Sequence, residues 1–320
     1  MKKFIHQIIL FTISLIITLF FMDKIVSNGL QKTKSATFNN LNKIYNGEIN
    51  ADLIINGSSK ALVQISPIIL DSILKINSYN LGMDGTEFTP QLLQYQLYQK
   101  YNTKPKTIIQ IIGNTFLTKK KELYGYQKFA PYFYDKDVKE LTKKYEGYSF
   151  SDYYIPFLRY SGMYSHIING ILNNFGIDLK QDTNYKGYFE QDRTWDDSFE
   201  KFTNKNKNGI INKMDSLSKV DFERYIQNSL KNKIDIILVY PPTYIKSQKL
   251  INNRGDIINY YQKIANKYDV PLLDYSNCYI SNSTEFFYNS QHLNKKGAGI
   301  FTNILANELK VRAHNKVYNK

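Results

Sequence analysis

Five short apolar runs, each four to six residues long, constrain this chain of 320 residues most: Asp52–Ile55, Ser78–Leu81, Thr107–Ile112, Asp235–Tyr240 and Pro271–Asp274. None alternates strictly between apolar and polar, as befits strands buried on both faces of a parallel sheet. Longer stretches with helical periodicity stand at Lys60–Leu74, Thr89–Tyr98, Gly255–Lys267 and Lys296–Val311. The last aligns Ala298, Phe301, Ile304, Leu305 and Leu309 on one face, the core stripe of an amphipathic helix. This alternation predicts a three-layer, doubly wound α/β fold with a mostly parallel five-stranded sheet. Folds of that kind bind ligands outside the carboxyl ends of their strands.

Two segments place chemistry at such ends. The first run leads into Asn56-Gly57-Ser58-Ser59 and then a helix. A serine on a tight strand-to-helix turn is where an exposed nucleophile is expected. Near the C-terminus, Tyr288-Asn289-Ser290-Gln291-His292 precedes the final helix. A histidine at that junction either caps a helix at the surface or acts as a general base toward a serine elsewhere. Asn80, Gly85 and Asn114 also follow predicted strand ends, which converges five residues on one site.

At these positions the chain resembles the SGNH/GDSL-type serine hydrolases and their membrane-anchored acyltransferase relatives. The family's Gly-x-Ser block is matched by Gly57-Ser58-Ser59, and its Asn-x-Gly-x-x-Gly block by Asn80-Leu81-Gly82-Met83-Asp84-Gly85. Its Asp-x-x-His block aligns with Asn289-Ser290-Gln291-His292. The likeness covers roughly residues 50–118 and 230–312. It implies a flavodoxin-like sheet, Ser59 as nucleophile and His292 as base. It also implies an oxyanion hole drawn from the Ser59 and Gly85 amides with Asn80 or Asn114. Two departures stand out. In Ile112-Gly113-Asn114 the asparagine comes one residue early, and Asn289 replaces the expected aspartate. Amidation of that carboxylate in a serine protease costs about 10⁴-fold, although an asparagine serves the Cys-His-Asn proteases. Asp274 and Glu285 are the carboxylates that stand near enough in sequence for a loop to bring in instead.

The N-terminus reads Met1-Lys2-Lys3 and then runs apolar from Phe4 to Met22. That is close to the roughly 20 residues of a transmembrane helix, and the preceding lysines place the N-terminus in the cytoplasm. Phe20-Phe21-Met22-Asp23 offers no small-x-small site and Val26-Ser27-Asn28-Gly29 only a poor one, so an uncleaved anchor is expected, with the remaining chain outside the cytoplasm. The single cysteine, Cys278, then has no intrachain partner and reads as a small buried residue. A formal charge of +14 is spread over lysines without an arginine-rich block, which favours a solvated or membrane-facing surface over nucleic acid. No spacing suits a metal or a nucleotide phosphate, so no cofactor is expected.

Residues 119–230 interrupt the pattern with Tyr124, Tyr126, Phe129, Tyr132, Phe133, Tyr134, Tyr153, Tyr154, Phe157, Tyr160 and the only tryptophan, Trp195. These aromatics either stack against sugar rings or pack the core of an inserted helical subdomain, and the segment can serve as a lid in both cases. His166 in this segment reads as structural, with His6 in the anchor and His314 in the tail. The expected organisation is an anchor at 1–23, a stalk at 24–50, an α/β domain at 51–118 and 231–312, an inserted region at 119–230 and a tail at 313–320. The functional expectation is a serine esterase acting on acyl esters of a cell-surface glycan or wall polymer. Its rivals are an O-acyltransferase of such a polymer, working alone or with a membrane-bound acyltransferase, and a degenerate member that binds glycan or acts as a scaffold.

Overall fold

The five apolar runs are strands, each within one residue of its expected bounds. They are β1 (Leu53–Asn56), β2 (Ser78–Asn80), β3 (Thr107–Ile111), β4 (Asp235–Tyr240) and β5 (Leu272–Asp274). In this computed structural model, which describes residues 1–179 and 184–318, they form one parallel sheet in the order β2-β1-β3-β4-β5. That is the doubly wound, flavodoxin-like order. Leu53, Ile54 and Ile55 pair with Thr107, Ile108 and Ile109 on one side and with Ser78, Tyr79 and Asn80 on the other. Ile54, Ile55, Ile108 and Ile109 are fully buried, which explains why these runs are apolar without alternation.

Helices cover the sheet. The stretch Lys60–Leu74, expected as one helix, is two: Ser59–Gln64 and Pro67–Leu74. Pro67 biases Ser66 toward extended backbone, and Ser66 has ψ 116°. The final helix, Lys295–Tyr318, buries the predicted stripe of Ala298, Phe301, Leu305 and Leu309, with Ile304 partly buried against the same core. Between β3 and β4 the crossover is made by Ser216–Lys231, which buries Phe222, Tyr225 and Ile226. A parallel crossover needs such a connection, usually a helix.

The chain divides into two units: Gly47–Lys120 with Asn184–Lys320, which holds the sheet, and Met1–Asn46 with Lys121–Thr183. The division differs from the expected one in two places. Residues 24–46, expected as part of a stalk, fold with the second unit. Residues 184–230 of the expected insertion belong to the sheet unit. The first difference shows in Asn42, a buried polar residue whose side-chain amide is satisfied within that segment. Asn42, 4% exposed, donates to the carbonyls of Leu30 and Thr33 at 2.9 Å each. Composition alone reads such a segment as solvated.

Within the smaller unit, Lys2–Leu30 is a 29-residue helix that contains an 18-residue window of mean hydropathy 2.3, long and apolar enough to cross a membrane. Its first two-thirds present large apolar side chains outward, with Phe4 and Phe11 65% and 69% exposed. Its last third packs on the helix Tyr164–Asn174. There a Cβ on Gly29 would lie 1.6 Å from the Gly170 carbonyl oxygen, so only glycine permits that approach. The aromatics of this unit largely build its own interior. Tyr45 stacks on Tyr132 at 4.2 Å, Phe133 stacks on Tyr153 at 4.9 Å, and His166 meets Phe38 edge-on at 5.1 Å.

Candidate active site

β1 ends at Asn56, and the chain turns at once through Gly57 and Ser58. A Cβ at Gly57 would lie 2.7 Å from Ile111 Cβ and 2.9 Å from Ala61 Cβ, so the close approach requires glycine. Ser58 caps the following helix, accepting from the Lys60 amide at 3.4 Å. Ser59 is the first residue of that helix, and first-turn amides have no intrahelical acceptor. Its Oγ and its amide therefore lie at the same turn.

The histidine arrives on a small antiparallel pair, β6 (Phe287–Asn289) and β7 (His292–Leu293). His292 Nε2 lies 2.7 Å from Ser59 Oγ, across 233 residues of sequence. His292 Nδ1 lies 3.0 Å from Asn289 Oδ1. The same Oδ1 accepts the backbone amides of Gln291 and His292, both at 3.0 Å. Backbone N–H groups can only donate, so the Asn289 atom facing them is the carbonyl oxygen. The imidazole must then carry its proton on Nδ1, which leaves the Nε2 lone pair for the Ser59 hydroxyl. The amide thus fixes the productive tautomer, the service an aspartate gives in a Ser-His-Asp triad. It does not supply the aspartate's charge.

The loop is held from several sides. Tyr244 N and Ser247 Oγ both donate to the Ser290 carbonyl at 3.1 Å. The Tyr288 ring stacks on the imidazole at 5.4 Å and 6°, and the Arg193 guanidinium lies 4.6 Å over the far partner of that stack, Tyr288. Trp195 packs edge-on to Tyr244 at 4.9 Å, and the Asp196 amide donates to the Tyr288 carbonyl at 3.1 Å. Trp195 thus packs on Tyr244, beside the turn that carries His292.

Neither substitute carboxylate reaches His292. Glu285 pairs with Lys296, and Asp274 is exposed, with Oδ1 accepting from the Ser276 amide at 2.9 Å. The charges that do act on the imidazole are positive. Burial first, then Lys60 and Arg193, push the His292 pKa down to about 3. Lys60 is itself pushed down to about 8, chiefly by burial and then by Arg254.

The four oxyanion candidates are placed differently. Asn114, 6% exposed, accepts the Tyr240 hydroxyl on Oδ1 at 2.6 Å, which turns its Nδ2 donor away from that bond. The one-residue shift at Gly113-Asn114 therefore still leaves an oriented amide at the end of β3. Asn80 differs from expectation. Its Nδ2 donates to the carbonyls of Ala61 at 2.7 Å and Ile65 at 3.0 Å, and its Oδ1 accepts from Gly82 N at 2.8 Å. With every polar atom engaged, Asn80 pins the loop to the helix that begins at Ser59 rather than facing a ligand. Gly85 sits in a turn at φ +67° and its carbonyl accepts Lys120 Nζ at 2.6 Å. Its loop is tied to the nucleophile turn through Met83 N, which donates to the Gly57 carbonyl at 2.9 Å. Sequence reasoning missed Lys60, Arg193, Tyr240 and Arg254, since single basic or tyrosine residues carry no motif. Lys60 alone had a signal, its position beside the nucleophile.

Fold and side chains together define an α/β chain with a Ser-His-Asn constellation at the carboxyl end of its sheet. No protein-family model matches the chain, and no curated protein sequence does. Among solved structures it is similar to one described as a lipolytic protein of the G-D-S-L family from Desulfitobacterium hafniense. The identity is 11% and the TM-score 0.38, over 81% of this chain and 99% of that one. A second, described as a platelet activating factor from Streptococcus pneumoniae, shows 13% identity and a TM-score of 0.43 over 88% and 94%. A third, described as an acylhydrolase from Bacteroides fragilis, shows 10% and 0.34 over 80% and 86%. At such scores the chemistry has to be read from this chain's own side chains.

Proposed function

We propose that the chain is a serine esterase of the SGNH type, cleaving acyl esters of a cell-surface glycan outside the cytoplasm. The observation that carries this reading is the 2.7 Å contact of His292 Nε2 with Ser59 Oγ, with the tautomer fixed by Asn289. Ser59 Oγ attacks the acyl carbonyl while Nε2 takes its proton. The oxyanion forms beside the Ser59 amide and Asn114 Nδ2, with the Gly85 amide as a third donor. Collapse of the intermediate returns the proton from His292 to the leaving alcohol. Water then releases the acyl group through the same pair, or a glycan hydroxyl takes it if the enzyme is a transferase.

The apolar helix Lys2–Leu30 supports a single-pass, N-in anchor, with the acylated glycan or wall polymer and the membrane as partners. Membrane-extracted protein is then expected to retain the residues before Asp23, as read by intact mass. A mature form beginning near residues 24–30 would mean cleavage instead.

The test of the activity is labelling by a fluorophosphonate, followed by turnover of a chromogenic acetate ester with and without a glycan acceptor. Hydrolysis alone identifies an esterase, and acceptor-dependent acetylation a transferase. A folded chain with neither label nor turnover would identify the non-catalytic member.

A further inference from the structure

The site holds two cations, Lys60 and Arg254, on one tyrosine ring. Lys60 Nζ stands 5.9 Å from the centre of the Tyr240 ring, and the Arg254 guanidinium stands 5.9 Å from the same ring. Arg254 gives Nη2 to Ser276 Oγ at 2.6 Å, while its Nε is buried without a hydrogen-bond partner. Among the described residues neither side chain forms an ion pair. Asp274, the carboxylate at the end of neighbouring β5, is exposed and turned to the Ser276 amide. Two cations sharing one ring repel each other, and a buried guanidinium N–H without a partner forfeits the hydrogen bond it had in water. An anion seated beside both would offset their repulsion and accept the free N–H.

The other half of the site lacks the opposite charge. The imidazole that must become imidazolium in the reaction is oriented by an amide, not a carboxylate. Tyr240 joins the two halves, since its ring carries the cations and its hydroxyl orients Asn114.

We propose that the substrate of this site carries an oxyanion, a phosphate or a carboxylate, that seats against Lys60 and Arg254 and supplies near His292 the negative charge that Asn289 withholds. The proposal deepens the esterase reading and rests on it for the reaction, though the anion subsite has its own readout. A neutral ester binds with the cations uncompensated and reacts slowly. An anionic ester screens them and stabilises the imidazolium, so its advantage appears in kcat as well as KM. The charge sits on the acyl group or on the alcohol, and the two placements need separate probes.

The experiment compares three chromogenic esters on the full chain in detergent. These are 4-nitrophenyl acetate, mono-4-nitrophenyl succinate with the charge on the acyl side, and the acetate of a carboxylated nitrophenol with the charge on the leaving side. At least one anionic ester is expected to exceed the neutral one in kcat/KM by about 10-fold or more, the scale of one charge-assisted hydrogen bond. Lys60→Gln should cut that ratio to near one, and because the ratio is read within one variant, any change in its neutral-ester rate cancels. Lys60→Arg should keep the ratio. A merely misfolded variant would lower all three rates together. Independently, inorganic phosphate should raise the melting temperature of the wild type and do so less in Lys60→Gln and in Arg254→Gln. Equal kcat/KM for all three esters, or a phosphate effect indifferent to both substitutions, overturns the proposal. Absence of fluorophosphonate labelling at Ser59 would instead sink the esterase reading, and the phosphate titration would then decide the anion subsite alone.

Discussion

The two turns that meet in the site are built on opposite electrostatic terms. The nucleophile turn, from Asn56 to Lys60, ends beside positive charge that forms no ion pair among the described residues: Lys60 follows Ser59 directly and feels Arg254. The histidine turn, from Tyr288 to Leu293, is organised by one neutral amide oxygen that accepts three donors. Orientation on this second turn is as complete as in a triad with a carboxylate, and its charge is absent. A catalytic carboxylate does two jobs, then, and this chain separates them. Asn289 holds the tautomer, whereas the stabilising charge must come from elsewhere.

If the nucleophile turn does the chemistry, Ser59→Ala gives the largest effect. Fluorophosphonate labelling should disappear and ester turnover fall by about 10⁴-fold or more, given that Ser knockouts in a serine protease cost about 10⁶. Ser58→Ala removes only a capping bond and should leave much of the activity, for a helix cap is worth about 1 kcal/mol. Undiminished labelling of the Ser59→Ala protein would move the nucleophile elsewhere.

The contrast between the turns is sharpest at Asn289. Asn289→Asp keeps the acceptor for Nδ1 and for both backbone amides and adds the missing charge. Neutral-ester hydrolysis should rise by about one to three orders of magnitude, the reverse of the roughly 10⁴-fold loss on amidation in a protease. The gain falls short of that figure because here the tautomer is already correct. An unchanged rate would show that charge was not lacking, and would leave the comparison without force. The same variant should narrow the anionic-ester advantage, since both charges serve one imidazolium.

Asn114→Ala removes an oxyanion donor and should lower kcat by about 10²-fold with little change in KM. Tyr240→Phe tests how that donor is aimed. It deletes the 2.6 Å bond to Asn114 Oδ1 while keeping the ring, and a loss of roughly 10-fold or less is expected in kcat. A Tyr240→Phe effect larger than that of Asn114→Ala would mean the hydroxyl touches the substrate itself.

What the sequence made legible follows the same division. The sheet was readable because strands buried on both faces must be apolar throughout, and Ile54, Ile55, Ile108 and Ile109 have no other explanation. The meeting of Ser59 and His292 was readable because each follows a strand or loop end with a short motif around it. The role of Asn80 was not, because a motif gives a position and not the partners of an amide, and Ala61, Ile65 and Gly82 take all of them. Nor was the course of residues 24–46, where buried Asn42 looks polar in composition yet is satisfied by local carbonyls. Lys60 and Arg254 lie 194 positions apart by subtraction of their numbers, and only the crossover topology brings both to Tyr240.

The smallest expected effect is the pH dependence, and it tests both turns at once. A general base must be deprotonated to act, so activity rises through the pKa of His292 and is level above it. With that pKa pushed down to about 3 by burial, Lys60 and Arg193, the usual fall in kcat/KM near the ordinary histidine value should be missing. On the nucleophile side the dependence has the opposite sign. Lys60 is charged below about 8 and neutral above, so the preference for an anionic ester is full at lower pH and fades as pH rises through that value. The groups that face Lys60 in this window are Arg254, which stays charged, Tyr240, whose hydroxyl burial keeps protonated, and His292, already neutral. Profiles of kcat/KM for the neutral and the anionic ester should therefore run parallel at acid pH and converge by a few-fold above about 8. Lys60→Arg, which cannot lose its charge, should remove the convergence. An acid limb near 6.5 in the wild type would show that His292 is not held neutral by its surroundings, and the electrostatic contrast between the two turns would then be smaller than the geometry indicates.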